Sequence, residues 1–137
     1  MSDIQDGNTC LFECMHYVDP SYTVDEYIQM LAPDQDVVND GYSGSAQDII
    51  NFVHTHFDAE YGPWLYMLKA GFVILTTVPE GEYNHAIVLT AVVDKTLELS
   101  DAKLYFYDPA FGKIGKMGYL DFVNTQPRYA IAIKQPQ

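Results

Sequence analysis

Four side chains in this sequence have the chemistry for nucleophilic acyl transfer: the thiol of Cys10, the imidazole of His85, the carboxylate of Asp108 and the amide of Gln5. Cys10 opens a stretch that reads as helix. The unpaired amides and the dipole of a helix start favour a thiolate, which lowers the thiol pKa and makes a better nucleophile. His85 opens an apolar run after a glycine-containing loop, and Asp108 closes the next such run. An imidazole beside a carboxylate is held in one tautomer and can take a proton from a nearby thiol. Gln5, five residues before Cys10, carries an amide able to donate to a developing oxyanion.

The elements that must position these groups follow from the hydrophobic pattern. Residues 10–18 contain no glycine or proline and stop before Asp19-Pro20, which predicts a first helix. Thr23-Val-Asp-Glu26 fits a capping box, and Val24, Tyr27, Ile28 and Leu31 follow on one helical stripe that ends before Pro33. The polar stretch 34–43, with Asn39-Asp-Gly41, reads as a loop, and a third helix is expected from about Ser45 to His56. From there the period shortens. Phe72–Val78, His85–Val93, Leu104–Tyr107 and about Arg128–Lys134 read as strands, the second of them apolar on both faces as in a central strand. Residues 109–118 read as turn-rich, and Gly118–Phe122 as a short strand or a helical turn. Helices followed by strands imply an α+β fold with an antiparallel sheet, in one domain over 1–137 with a helical half to about 67 and a sheet half from 68. If the connection after Val93 centres near Thr96 and Leu97, residues whose numbers sum to about 193 lie opposite each other. His85 and Asp108 do (85 + 108 = 193), which puts them together on one face at the open end of a hairpin.

Composition removes several functions. The 137 residues carry 19 Asp and Glu against seven Lys and Arg, a net charge of −12, which repels phosphate backbones and anionic lipid heads. Nucleic acid is therefore not an expected partner, and a peptide or protein substrate is, the charge favouring basic peptides or basic surfaces unless it serves only solubility. No window offers the roughly 18 apolar residues of a membrane span, and the first residues lack a signal-peptide pattern. Cys10 and Cys14 lie one helical turn apart, where a disulfide would bend the helix, so both are expected reduced, in a cytoplasmic setting.

At these residues the chain resembles the papain-like cysteine peptidases, and most closely the peptidase C39 group, which removes double-glycine leaders from bacteriocin precursors. Gln5-x4-Cys10 looks like the opening of that group. Leu68-Lys-Ala-Gly71 through Phe72-Val-Ile-Leu75 is similar to the segment before its catalytic histidine, Asn84-His85-Ala-Ile-Val-Leu89 to its histidine strand, and Tyr107-Asp108-Pro-Ala-Phe-Gly112 to its Asp-Pro turn. The resemblance implies a papain-like fold with N-terminal helices packed on a C-terminal antiparallel sheet. It implies Cys10 as nucleophile, His85 as base, Asp108 as orienter and Gln5 in the oxyanion hole. The group usually has glycine directly after the nucleophile, where this chain has Leu11.

The remaining candidates read as structural. Cys14 falls on the core side of its helix. His54 and His56, two apart on a helix, point in different directions and make a poor chelate. Cys10, Cys14 and His16 have no second ligand pair at zinc spacing, so no metal is expected. Trp64, beside Gly62-Pro63, is placed to line a cleft. The expected activity is hydrolysis of a peptide or amide bond by a Cys-His-Asp triad without a cofactor. The alternatives are a secreted effector or toxin with the same triad, and a non-catalytic module that holds a peptide on the same fold.

Overall fold

The computed structural model describes residues 3–5, 9–80, 83–93, 102–127 and 129–134, without the side chains of 3–5, 69, 80 and 83. In chain order the elements are β1 (Asp3–Gln5), α1 (Cys10–Val18), α2 (Val24–Leu31), α3 (Val37–Asp40), β2 (Ser43–Ser45), α4 (Ala46–His56), β3 (Ala59–Glu60) and α5 (Trp64–Lys69). They continue with β4 (Phe72–Glu80), β5 (Tyr83–Val93), β6 (Lys103–Asp108), β7 (Lys113–Gly118), α6 (Tyr119–Asn124) and β8 (Ala130–Lys134).

The helix starts are chemically defined. Thr23 Oγ1 accepts the amide of Glu26 at 3.1 Å, and the Glu26 carboxylate accepts the amide of Thr23 at 2.9 Å. Ser45 and Asp48 form the same reciprocal pair at the start of α4. Each box satisfies two amides that the helix itself leaves open.

Six strands form one antiparallel sheet in the order β3-β8-β4-β5-β6-β7, and β1 and β2 pair separately. Both faces of the sheet are covered. On one, Val73, Leu75, Ala86, Val88, Ile131 and Ile133 pack against residues of α1, α2 and α4. On the other, Ile74, Ile87, Leu89, Leu104 and Ala132 pack against Met67 and Leu68 of α5 and Phe122 of α6. Residues 86–89 therefore bury four successive side chains, as a central strand must. Among the described residues no helix is long and apolar enough to cross a membrane.

Several expectations need correction. The 34–43 stretch contains the one-turn helix α3 and the start of β2, so it is not all loop. Residues 113–118, read as turn, are the strand β7, which borrows its order from β6. Gly118 ends β7, and Tyr119–Asn124 is helical. β4 runs on through Pro79, because β8 pairs with it only as far as Thr76 and leaves no ladder on that side for the missing N–H to break. The two halves interleave: β3, from the first, joins the large sheet beside β8. Trp64 packs on Phe122 with ring centroids 5.1 Å apart, half-buried between α5 and α6. Arg128 and the centre of the β5–β6 connection lie outside the described residues.

Leu75 is fully buried in the sheet, whereas Thr23 acts through one cap. Urea denaturation should show Leu75→Ala destabilised by about 2–5 kcal/mol. Thr23→Ala should lose about 1 kcal/mol.

Candidate functional site

Cys10 is the first residue of α1, and burial of Leu11, Phe12, Cys14, Met15 and Val18 fixes that helix against β5 and α2. The backbone of Thr9 accepts the amide of Glu13 at 2.9 Å, and its hydroxyl donates to the Glu13 carboxylate at 3.1 Å. Cys10 Sγ, in turn, accepts the amide of Ala86 at 3.5 Å. The thiol thus meets β5 at the residue after His85. Cys10 is 6% exposed, and Leu11, which stands where a glycine was expected, is fully buried and turned into the core.

His85 and Asp108 are joined by a 2.6 Å hydrogen bond between Nε2 and Oδ1, both side chains being mostly buried. An ionised carboxylate only accepts, so Nε2 carries the proton and the lone pair of the neutral ring belongs to Nδ1. Asp108 Oδ1 also accepts the amide of Ala110 at 2.9 Å. The Asp108 carbonyl accepts the amides of Phe111 and Gly112, and Gly112 closes the turn at φ 63°, where a side chain is disfavoured. The carboxylate is therefore oriented by its own turn before it meets the imidazole. From the other side the buried hydroxyl of Thr77 donates to the His85 carbonyl at 3.3 Å.

The pairing that brings His85 to Asp108 differs in register from the expected sum of 193. Val88 pairs with Tyr107 and Leu89 with Phe106, a sum of 195, whereas Ala91 pairs with Tyr105 and Val92 with Leu104, a sum of 196. The change is a bulge at Thr90, one extra residue on β5. In the 196 register His85 would fall opposite residue 111, and Asp108, three positions away, would point to the other face. In the 195 register it falls opposite residue 110, and Asp108 is the same-face diagonal neighbour, within side-chain reach. Val92 and Leu89, three apart, accordingly share one face of the sheet.

A second brace ties β6 to α1. Tyr107, next to Asp108, stacks on Tyr17 with centroids 4.0 Å apart and planes 8° from parallel. Burial, with the neighbouring Cys14, raises the Tyr107 phenol above its ordinary pKa. Cys14 itself is fully buried, and neither cysteine is in a disulfide.

Gln5 lies on β1, whose backbone pairs with Ser43 of β2 and which runs beside β5; its side chain lies outside the described residues. His54 stacks on Tyr61, and His56 is exposed against Phe52. Among the described residues no group of three or more His, Cys, Asp or Glu has the geometry of a metal site. Thr77, Thr90 and Tyr107 position the site without having been singled out in the sequence. Adjacent to His85 in the sheet, Thr77 carried the one legible signal, a hydroxyl inside an apolar strand. No family model, curated protein or solved structure matches the chain.

Proton NMR should detect the His85 Nε2 proton far downfield and protected from exchange. Asp108→Ala should remove that signal. Deletion of Thr90 should remove it too, by turning His85 to the opposite face, with helical circular dichroism retained.

Proposed function

We propose that the protein is a cysteine peptidase or amidase, with a papain-like fold of the C39 type, in which Cys10 is the nucleophile, His85 the base and Asp108 the orienter. The observation that carries this reading is the 2.6 Å bond from His85 Nε2 to Asp108, made where the thiol of a helix-start cysteine meets the amide of Ala86. That bond leaves Nδ1 as the basic nitrogen of the ring. The order of Cys10, His85 and Asp108 along the chain and their elements (helix start, strand opening, strand end) agree with the resemblance.

The reaction runs in two displacements. The Cys10 proton passes to His85 Nδ1, and the thiolate adds to the carbonyl carbon of a peptide or amide. The carbonyl π pair moves to oxygen, where the Cys10 backbone amide and the Gln5 side-chain amide are its proposed donors. Collapse breaks the C–N bond, and the leaving amine takes the imidazolium proton. Water then loses a proton to His85, attacks the thioester and releases the acid, and the proton returns to the thiolate. Asp108 keeps the imidazole in the required tautomer and stabilises its charged form. No metal or organic cofactor takes part.

Alkylation of Cys10 by iodoacetamide, followed against pH by mass spectrometry, tests the reading. The reaction should have its midpoint below about pH 7, against about 8.5 for an ordinary thiol. His85→Ala should move it upward and Cys10→Ala abolish it. A normal midpoint insensitive to His85 defeats the hydrolase and favours a peptide-binding module. On a cleaved substrate, Asp108→Asn should lower kcat by roughly 10²–10⁴-fold.

A further inference from the structure

A groove of about 240 Å³ adjoins Asp108 along the β6–β7 hairpin. Its apolar lining is Phe106, Phe111 and Ile114, and Phe111 and Ile114 are 73% and 48% exposed. The floor is cut by Gly115, which pairs with Phe106; a Cβ there would come within 2.7 Å of the Phe106 ring. The absence of a side chain lets the ring lie across the strand and keeps the floor flat and apolar.

The charge of the groove is opposite to that of the chain. Acidic residues outnumber basic ones 19 to seven overall, yet the sole acid of the lining is Asp108, already bonded to His85 and to the Ala110 amide. Lys113 and Lys116 line the groove, and among the described residues neither ammonium has an ion-pair partner. Within the described sheet β7 is an edge strand, with β6 on one side only. An open strand edge pairs with an extended peptide through the main chain, while side pockets supply selectivity.

We propose that β7 and this groove bind an extended peptide that presents an apolar side chain to Phe106, Phe111 and Ile114 and flanking Asp or Glu side chains to Lys113 and Lys116. This rests on the hydrolase reading, whose substrate class it names. The peptide adds to the open edge of β7 and continues past Asp108 toward His85 and Cys10. A strongly acidic protein thereby selects acidic substrate by a local reversal of sign, and its remaining surface repels the same peptides when they approach elsewhere.

Fluorescence anisotropy of three labelled peptides tests this. They share one apolar pattern and carry Glu, Gln or Lys at the flanking positions, and they are titrated into Cys10→Ala protein so that none is cut. The Glu peptide should bind roughly 3- to 30-fold tighter than the Gln peptide, as two exposed charge pairs allow, and lose that advantage as salt is raised. Adding Lys113→Gln and Lys116→Gln should abolish the preference, and Lys113→Glu with Lys116→Glu should reverse it toward the Lys peptide. Equal affinity for the Glu and Gln peptides, or a preference untouched by the lysine changes, overturns the proposal. The two readings fail separately. Lysine-dependent binding to unsubstituted protein, with no cleavage and an ordinary Cys10 thiol, removes the hydrolase and keeps the groove. Cleavage of all three peptides with equal kcat/KM removes the groove and keeps the hydrolase.

Discussion

A residue in a strand has only two faces to choose from, and for His85 that choice decides whether it meets Asp108 at all. Hydrophobicity does not make the choice. Residues 86–89 are buried on both sides of the sheet, so either facing would satisfy the core. The extra residue at Thr90 makes it, by changing the parity of the β5–β6 pairing partway along the hairpin. Everything else in the site presupposes that parity. The Asp-Pro turn aims its carboxylate, Thr77 holds the His85 carbonyl and the Tyr17–Tyr107 stack ties β6 to α1, but each acts on partners already on the right side of the sheet. Bulges are concentrated where a side chain has to be re-aimed, and here the re-aimed side chain is the histidine.

The covered sheet explains how a short chain achieves such definition. α1 reaches β5 with its first turn, and the same burial of Leu11, Phe12 and Met15 that stabilises the helix sets the depth of Cys10. α5 and α6 close the opposite face and leave β7 as an edge, which keeps one side of the groove open. The thiol approaches β5 from the side of α1, while the bulge assigns His85 to the face it shares with Leu89. Near the strand's beginning, beyond the last β5–β6 pair, Ala86, the residue after His85, directs its amide to Cys10.

Much of this was legible in the residues. The capping box at Thr23 marked a helix start because it is local chemistry, and the span of α1 followed from the absence of breakers. The proximity of His85 and Asp108 came from a hairpin sum that was two residues off but of the same parity. A sequence offers no sign of a bulge inside Leu89-Thr-Ala91, where all three residues suit a strand, so the register could not be read correctly. β7 was invisible for another reason. Lys113-Ile-Gly-Lys-Met-Gly118 has two glycines and no clear alternation, and its order depends on β6, whose Phe106 covers Gly115. α5 is one and a half turns long and follows Gly62-Pro63, so its pattern is too brief to separate from the strand after it.

The position of β8 has a bearing on how the molecule comes into being. It follows every other described element in the chain, yet it lies inside the sheet, between β3 and β4. Its alternating side chains feed both cores: Ile131 and Ile133 one, Ala132 the other. During synthesis, β4 therefore has a bare edge until the ribosome has passed Lys134 and released it from the exit tunnel. Because this closure pairs residues some sixty positions apart in sequence, it is among the slower events a chain of this size undergoes. An exposed β4 edge is also a site where nascent chains adhere to one another. A chain with this topology stays unfinished until translation has delivered the strand that joins its two cores.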